Sequence, residues 1–289
     1  MKQFKNDFHL FEGERIIVPE SWRRLQKLTE KWGGVFMVIG GVSSGKSTFV
    51  KFLASSFLNR DKKIAIIDAD IGQSWIGPPT TVSAILLPME EKIINFMRPN
   101  FMEFFGALSP SVNLNGYLLS VKKIFERVKK ENPFAIIVDT TGLISGNEGL
   151  NLKLKKAEIL SPTMITVFKK NGEIDPIVNA LIDKKFNVYV LNSPKETRER
   201  SMNQRKEYRE QAFRKYFEGA KVLRLKTEDN FDINTLVGIL DDEGRTLALG
   251  IVLGQEKNEI FIYTPLEEIK QPFFLKKSHL KISLEGREV

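Results

Sequence analysis

Short, nearly continuous apolar runs recur through the first two thirds of this chain, and polar or amphipathic stretches separate them. Five runs predict buried strands, at residues 35–39, 63–67, 134–138, 164–168 and 187–191. Periodic apolar positions predict helices at residues 19–31, 47–57, 116–130 and 175–184. Apolar strands that alternate with helices indicate a mostly parallel sheet covered on both faces, and therefore an α/β fold.

The pattern changes after residue 195. Residues 195–219 are polar and basic, and short apolar runs then alternate with turn residues, at 236–240, 246–253 and 259–263. These runs predict hairpins in a small β-rich unit. Short β-like stretches are also predicted within residues 1–18. The predicted organisation is a short N-terminal segment at 1–32, a main domain at 33–219 with an arginine-rich segment at about 195–217, and a β-rich C-terminal domain at 220–289.

Composition narrows the function classes. The chain has 289 residues, 42% of them hydrophobic, which suffices for one large core and a small appended unit. The absence of cysteine excludes a disulfide scaffold, a thiolate metal site and a cysteine nucleophile, and two histidines argue against a histidine metal cluster or a Ser-His-Asp triad. The net charge of +8 favours a polyanionic partner, although a lysine-rich solvated surface is the alternative.

No segment has the pattern of a signal peptide, and no apolar run approaches the ~20 residues of a membrane span. We therefore expect a soluble, cytoplasmic protein that has no membrane partner.

A glycine-rich segment carries the most specific pattern in the chain. Gly40-Gly41-Val42-Ser43-Ser44-Gly45-Lys46-Ser47 matches the phosphate-binding P-loop G-x-x-x-x-G-K-[ST], between a predicted strand and a predicted helix. Its glycines let backbone N–H groups point at one anion, Lys46 would reach the β- and γ-phosphates, and Ser47 would bind Mg²⁺. The predicted fold is therefore of the P-loop NTPase type. The predicted nucleotide-binding residues are Gly40, Val42, Ser43, Ser44, Gly45, Lys46, Ser47 and Thr48.

Aspartates end two of the predicted strands. Asp68 and Asp70 follow the run at 63–67, and Asp139 follows the run at 134–138. The carboxyl ends of parallel strands share one edge of a sheet, so we expect these residues to converge with the P-loop. A carboxylate there can hold Mg²⁺ or accept a proton from an attacking hydroxyl, whereas a polar strand-end cap is the structural alternative. Spacing does not choose among the three.

Two further segments have a functional and a structural interpretation. The turn at 140–142 can sense a γ-phosphate through its hydroxyls and amides, or it can be a hydrogen-bonded turn. The arginines at 195–217 can form a lid over a transferring phosphate, or they can lie on a solvated, ion-paired helix. Arg205 and Arg209 would share a helix face with Arg198, but Arg200 would not. The aromatic run at 101–106 is more typical of core than of base stacking.

These segments, taken together and in order, resemble the polynucleotide 5′-hydroxyl kinases of RNA processing, whose eukaryotic members act in pre-mRNA 3′-end formation, tRNA splicing and pre-rRNA maturation. The similarity covers residues 33–219. Besides the P-loop, the segments that carry it are Asp68-Ala69-Asp70-Ile71-Gly72-Gln73-Ser74, Phe104-Phe105-Gly106-Ala107-Leu108-Ser109-Pro110, Asp139-Thr140-Thr141-Gly142 with Gly146, and Glu199-Arg200-Ser201 with Arg205, Arg209, Arg214 and Tyr216-Phe217.

The resemblance implies transfer of the γ-phosphate of ATP, or of GTP, to the 5′-hydroxyl end of single-stranded RNA or DNA, with Mg²⁺. It implies that Asp70 is the general base, that Lys46 stabilises the migrating phosphoryl group, and that Arg200 and Arg205 are lid arginines, with Arg200 placed before the first helical turn or on a bent lid. Magnesium would be held by Ser47 and by one or more of Asp68, Asp70 and Asp139. The implied substrate-binding residues are Gln73, Phe105, Thr140, Thr141 and Gly142.

Two departures from the family pattern affect these expectations. Leu143 stands where the family often has a tryptophan that stacks on a substrate base, which leaves Trp75 and Phe105 as candidates. Only about 32 residues precede the P-loop strand, whereas eukaryotic members carry a large N-terminal β domain that helps to hold the nucleotide base, so the preference between ATP and GTP stays open.

Two rival functions also stay open. A non-catalytic ATP-binding adaptor of an RNA-processing complex would use the nucleotide to hold a protein surface in shape. A switch-type P-loop NTPase acting on a protein partner would use the turn at 139–142, but the chain lacks an N-K-x-D base motif.

Overall fold

The computed structural model describes residues 18–58, 60, 62–88, 95–194 and 200–289. Its helices are α1 Glu20–Trp32, α2 Lys46–Leu58, α3 Leu114–Lys130, α4 Gly146–Leu160, α5 Asp175–Asp183 and α6 Met202–Tyr216. Its strands are β1 Gly34–Gly40, β2 Ile64–Ala69, β3 Thr81–Leu87, β4 Phe101–Phe104, β5 Ala135–Thr140, β6 Met164–Lys169, β7 Val188–Asn192, β8 Lys221–Lys226, β9 Thr235–Leu240, β10 Thr246–Glu256, β11 Glu259–Thr264 and β12 Phe274–Lys281. Short 3-10 helices lie at Pro110–Val112 and Gly172–Ile174.

The larger sheet has seven strands in the order β4-β3-β2-β5-β1-β6-β7. The pairs β2–β5, β5–β1, β1–β6 and β6–β7 are all parallel. The P-loop strand β1 lies between β5 and β6, and every residue of β2 and β5 is buried, as both-face coverage requires. This arrangement confirms the predicted α/β fold and brings the carboxyl ends of β1, β2 and β5 to one edge.

The helix before the P-loop strand closes one side of this core. The ring of Trp22 in α1 packs edge-on against Phe49 of α2 and Phe168 of β6, with ring centroids 5.1 and 5.8 Å away. The helix ends at Gly33, which has a φ of 61° and donates its N–H to Thr29 O. A Cβ at that position would lie 2.4 Å from the carbonyl oxygen of Phe134, so only glycine fits the turn into β1.

The smaller sheet is formed by the C-terminal part of the chain. Its five strands follow the order β12-β9-β10-β11-β8, and each neighbouring pair is antiparallel. One of its apolar clusters joins the end of α6 to the sheet through Phe213, Tyr216, Phe217, Leu236 and Leu249. The predicted β-rich unit is therefore present, and the last turns of α6 are packed into its core.

The chain divides into two compact units that interleave along the sequence. Unit 1 contains residues 1–69, 84–95 and 125–199, and unit 2 contains residues 70–83, 96–124 and 200–289. Unit 1 includes the P-loop, and unit 2 includes the smaller sheet and α6. The boundaries predicted at residues 33, 195 and 220 stay predictions.

The predicted strands and helices of the main domain are present within a few residues of their predicted ends. Among the α-helices and strands of the described residues, β3, β4, α4, β8 and β12 have no counterpart among the predictions. Of the segment at 1–18 with predicted β-like stretches, all but Val18 lies outside the described residues, as does Arg198. No helix in the described part of the chain is long and apolar enough to cross a membrane.

Candidate active site

The P-loop curls into an anion-binding shape at the carboxyl end of β1. Ser43 and Gly45 have φ values of 52° and 96°, the left-handed conformation that turns successive N–H groups to one side. The helix α2 starts at Lys46, so its N-terminus faces the same concavity. The Nζ of Lys46 lies 2.7 Å from the carbonyl oxygen of Gly41, and the side chain is only 6% exposed.

The first glycine of the P-loop is required by packing. A Cβ on Gly40 would lie 2.5 Å from the Oγ of Ser44 and 2.9 Å from the Cβ of Phe168. The Ser44 hydroxyl is buried and has no hydrogen-bond partner among the described residues. The loop is thus pressed against β6, and its residues fit a bound phosphate chain.

Two of the candidate magnesium aspartates are neighbours in unit 1. Asp68 of β2 is the direct partner of Asp139 in β5, and Asp139 is also paired with Val38 of β1. Both aspartates are almost completely buried, at 0% and 1% exposure. Unpaired buried carboxylates are costly, so cationic groups are expected among their surroundings.

The turn after Asp139 packs directly against the P-loop. A Cβ on Gly142 would lie 2.6 Å from the Cγ2 of Val42 and 2.9 Å from its backbone nitrogen. The hydroxyl of Thr140 is buried and donates a 2.7 Å hydrogen bond to the carbonyl oxygen of Val38, which ties the end of β5 to β1. The structure thus brings together three of the predicted elements, the P-loop, Asp68 and the turn at 139–142.

One residue of this group has no counterpart among the predicted site residues. Lys153 of α4 is fully buried, and its Nζ contacts the turn through the carbonyl oxygen of Thr141 at 2.5 Å and the hydroxyl oxygen of Thr140 at 3.2 Å. The sequence held a signal for it. The buried face of α4 carries Gly149, Leu152, Lys153, Lys156, Ala157 and Leu160, so two lysines lie within an otherwise apolar stripe.

The predicted general base lies in a tight turn of unit 2. The Oδ1 of Asp70 accepts hydrogen bonds from the backbone N–H groups of Gly72, at 3.3 Å, and Gln73, at 3.2 Å. These bonds orient the carboxylate directly after β2. The side-chain amide of Gln73 then donates to the carbonyl oxygen of Arg205 at 3.3 Å.

The predicted lid arginines lie at the start of α6. Ser201 caps this helix and forms a capping box with Gln204, so Arg200 precedes the first turn, as one of the two predicted arrangements required. The Nε of Arg205 donates to the carbonyl oxygen of Arg200 at 3.1 Å, and a guanidinium nitrogen of Arg200 lies 3.5 Å from the Oε1 of Gln73. Unit 2 therefore links Asp70, Gln73 and both arginines through consecutive hydrogen bonds.

Two further contacts fix this segment within unit 2. The guanidinium of Arg200 lies over the ring of Tyr208, 4.5 Å from its centroid, and the Tyr208 hydroxyl donates to the carbonyl oxygen of Ser74 at 3.1 Å. Arg209 forms a 2.6 Å ion pair with Glu288. Arg209 thus has a structural contact, whereas Arg200 and Arg205 are held mainly through backbone oxygens, Gln73 and the Tyr208 ring.

The two aromatic candidates for base stacking have packing partners. The ring of Phe105 lies edge-on to Tyr117 at 5.8 Å, and Phe105 is 9% exposed. Trp75 is half-buried beside Phe96, with ring centroids 5.5 Å apart. These contacts favour the core interpretation of the aromatic run, and a substrate contact for either ring stays a prediction.

The described residues contain no group of three or more His, Cys, Asp or Glu side chains that forms a metal cage. This is compatible with Mg²⁺, which usually keeps several waters and is bound by one or two carboxylates together with substrate phosphates. Asp68 and Asp139, paired in register beside the P-loop, fit that requirement.

The comparison with protein families follows the same segments. The model of the mRNA cleavage and polyadenylation factor CLP1 P-loop family matches residues 40–219, which is more than half of the chain. This chain belongs to the CLP1 P-loop family. The resemblance predicted from the sequence is therefore confirmed.

The relatives that are similar to this chain in sequence include three archaeal proteins named polyribonucleotide 5′-hydroxyl-kinase. The protein from Pyrococcus furiosus is 28% identical over 94% of this chain and 95% of its own length. Those from Pyrococcus abyssi and Methanocaldococcus jannaschii are 31% and 33% identical over 75% and 67% of this chain. The matches span 58% and 53% of those two relatives, little more than half their length.

A solved structure of the wild-type Clp1p–Pcf11p complex has the same fold. It superposes with a TM-score of 0.76 over 91% of this chain and 79% of that one, at 12% sequence identity. At that identity the similarity supports the fold alone, and it agrees with the α/β architecture described above.

Proposed function

We propose that this chain is a polynucleotide 5′-hydroxyl kinase that transfers the γ-phosphate of ATP to the 5′-hydroxyl end of RNA. The observation that carries the proposal is the chain of hydrogen bonds from Asp70 through Gln73 to Arg200 and Arg205. A protein that only binds ATP has no need of a carboxylate and two arginines ordered in this way. The names of the archaeal relatives support the same activity.

The residues around the P-loop are assigned to nucleotide binding. Backbone N–H groups of the P-loop hold the phosphates, and Lys46 compensates charge on the β- and γ-phosphates. Ser47 and one or both of Asp68 and Asp139 would hold Mg²⁺, which would supply positive charge to offset that of the phosphates. ATP is the proposed donor, and GTP is the alternative that a direct comparison of the two nucleotides tests.

Asp70 is assigned to the proton. The 5′-hydroxyl oxygen forms a bond to the γ-phosphorus while the bond from that phosphorus to the β,γ-bridging oxygen breaks, and ADP leaves. The hydroxyl proton goes to the carboxylate of Asp70. Two backbone N–H groups hold the Oδ1 of this carboxylate, so little reorganisation is needed before it accepts that proton.

Arg200 and Arg205 are assigned to the charge that develops on the transferring group. Phosphoryl transfer depends on positioning and charge neutralisation more than on covalent help, and arginines can supply both. Gln73 holds both arginine residues from one side, and it is also a candidate contact for the polynucleotide. Thr141, Gly142 and Phe105 remain assigned to the same role.

The proposed substrate is single-stranded RNA with a 5′-hydroxyl end, with single-stranded DNA as a second substrate to be compared. The net charge of +8 supports a polyanionic substrate. Binding through phosphates releases counterions, so the affinity for the strand is expected to fall as the salt concentration rises.

The test is transfer of ³²P from γ-labelled ATP to a short single-stranded RNA. Two oligonucleotides that differ only in a 5′-hydroxyl or 5′-phosphate end are compared, and Lys46→Ala is the control variant. Label on the 5′-hydroxyl RNA alone, lost in the variant, is the expected result. ATP binding without label on RNA or DNA would contradict the proposal and favour an ATP-binding adaptor. Hydrolysis stimulated by a protein partner would favour a switch-type NTPase.

A further inference from the structure

The buried lysine of α4 stands out because it is an ammonium group placed on the turn beside the P-loop. Lys153 is fully buried, and its Nζ lies 2.5 Å from the carbonyl oxygen of Thr141. The hydroxyl oxygens of Thr140 and Thr141 lie 3.2 and 3.4 Å from the same nitrogen. An ammonium has three hydrogens to donate, so this one group can hold two consecutive residues of the turn.

The turn at 140–142 also limits where the P-loop can lie. Gly142 follows Thr141 directly, and its Cα lies so close to Val42 that a Cβ would be 2.9 Å from the Val42 backbone nitrogen. Thr140 is also tied to β1 through its 2.7 Å hydrogen bond to Val38. A continuous series of contacts therefore runs from Lys153 through the turn at 140–142 to the P-loop, and every part of it belongs to unit 1.

Burying a lysine at this place is costly unless its charge and donors are used. A leucine or methionine would fill the same stripe of α4 between Leu152 and Ala157 at lower cost. The contacts of Lys153 with the turn supply a reason for the charge, because they hold the carbonyl and hydroxyl oxygens of Thr141, which an apolar side chain could not bind.

We propose that Lys153 is a positioning residue that holds the turn at 140–142 in the arrangement that distinguishes a bound γ-phosphate from its absence. Lys153 does not touch the nucleotide in this role. It fixes the backbone of the turn against Val42, so that the turn meets the end of the phosphate chain when ATP is bound and not when ADP is bound. This inference rests on the proposed use of ATP. It adds to that proposal a role for Lys153 and a reason why ATP would bind more tightly than ADP.

The test compares the affinities of ATP and ADP by calorimetry, without any polynucleotide, in the wild-type protein and in Lys153→Met. Methionine keeps the length and volume of the side chain and removes the ammonium. We expect the ratio of ATP to ADP affinity to fall by about tenfold, within the usual range of coupling between sites. Lys155→Met is the matched control, because Lys155 is exposed on the same helix. The ratio of ATP to ADP affinity in this variant is expected to stay at the wild-type value.

A purely structural role for Lys153 would give another result. Lys153→Met would then have a lower melting temperature, but its ratio of ATP to ADP affinity would equal that of the wild-type protein. That result would overturn the proposal. Equal affinities of the wild-type protein for ATP and ADP would also overturn it, because the turn would then have no discrimination to supply.

A second variant keeps the inference testable if Lys153→Met does not fold. Gly142→Ala retains Lys153 and forces the turn away from Val42, since the added Cβ has no room. We expect the ATP to ADP ratio to fall here as well, and an unchanged ratio would contradict the proposed role of the turn. The failure of RNA phosphorylation would leave both affinity comparisons valid, so the two proposals are tested separately.

Discussion

The two units hold their charged candidate residues in opposite ways. In unit 1, Lys46, Asp68, Asp139 and Lys153 are all buried, and the two lysines donate to backbone carbonyl oxygens at 2.7 and 2.5 Å. In unit 2, Arg200 is exposed and Arg205 half-buried, and the contacts that hold them are 3.1 to 3.5 Å long.

This difference has a physical reason. Buried charges are expensive to leave unpaired, so a site built from them must be formed before the ligand arrives. Exposed arginines remain hydrated and cost little, but each must lose side-chain freedom when it engages a phosphate. We therefore expect unit 1 to determine nucleotide affinity and the arginines of unit 2 to determine the rate of transfer.

The largest expected effect comes from removing both lid arginines. Arg200→Ala with Arg205→Ala should lower the rate of RNA phosphorylation by about 10³ to 10⁵, the range that an arginine supplies in phosphoryl transfer. ATP affinity, measured by calorimetry, should change little. Arg214→Ala is the control on the same helix, where the Nε donates to the carbonyl oxygen of Glu285. If the double variant lost ATP affinity as well as rate, the expectation that the arginines of unit 2 act on the rate and not on nucleotide affinity would be wrong.

A smaller loss is expected at the proposed base. Asp70→Asn keeps the oxygen that accepts the two backbone hydrogen bonds but cannot take up the proton, and the rate should fall by about 10² to 10⁴. Single-turnover transfer to 5′-hydroxyl RNA measures the chemical step. An unchanged rate would show that Asp70 is not the base, and Asp68→Asn, examined for its magnesium requirement, would then be the next variant.

The anchoring of α6 can be tested through stability. Phe213 is fully buried in the cluster with Tyr216 and Leu249, so Phe213→Ala should reduce the free energy of unfolding by about 3–5 kcal/mol. Denaturant unfolding measures this loss, and the exposed Lys215→Ala serves as the control. A loss below about 1 kcal/mol would mean that the helix is not held by this core.

The smallest expected effect sharpens the description of the lid. Tyr208→Phe removes the hydroxyl that donates to Ser74 but leaves the ring beneath Arg200. It should therefore lower the free energy of unfolding by about 1 kcal/mol at most. Transfer rates in Tyr208→Phe and Tyr208→Leu separate the two contacts. If the ring helps to position Arg200, transfer should be slower in the leucine variant than in the phenylalanine variant. Equal rates would show that the contact between the ring and Arg200 does not affect transfer.

Three of the elements without a counterpart among the predictions, β8, β12 and α4, share a physical cause, because charged residues interrupt their apolar pattern. The strands β8 and β12 lie at the two edges of the smaller sheet, and basic residues interrupt their apolar positions, so they lack the apolar run that marks a strand. Charged edge strands are protected against pairing with other chains. Helix α4 was missed because Lys153 and Lys156 occupy its buried face and interrupt the apolar period.

The sequence by itself determined the P-loop, the α/β class and the family, because these depend on local patterns: a glycine-rich turn between a strand and a helix, apolar runs of strand length, and motifs in a fixed order. Helical spacing also excluded Arg200 from the face of Arg205 and Arg209, but it left open a bent lid or a position before the first helical turn, and the capping box at Ser201 chose the second. The roles of Asp70, Arg200 and Arg205 remain predictions.

Only the tertiary structure decided which distant residues meet. Strand register set Asp68 beside Asp139, packing brought Gly142 against Val42, and a helix that begins four residues after Gly142 returned Lys153 to Thr141. Such contacts join residues from separate elements, and each depends on the whole sheet being assembled. A lysine on an apolar stripe is visible in the sequence, but the partner that justifies burying its charge becomes known only from the fold.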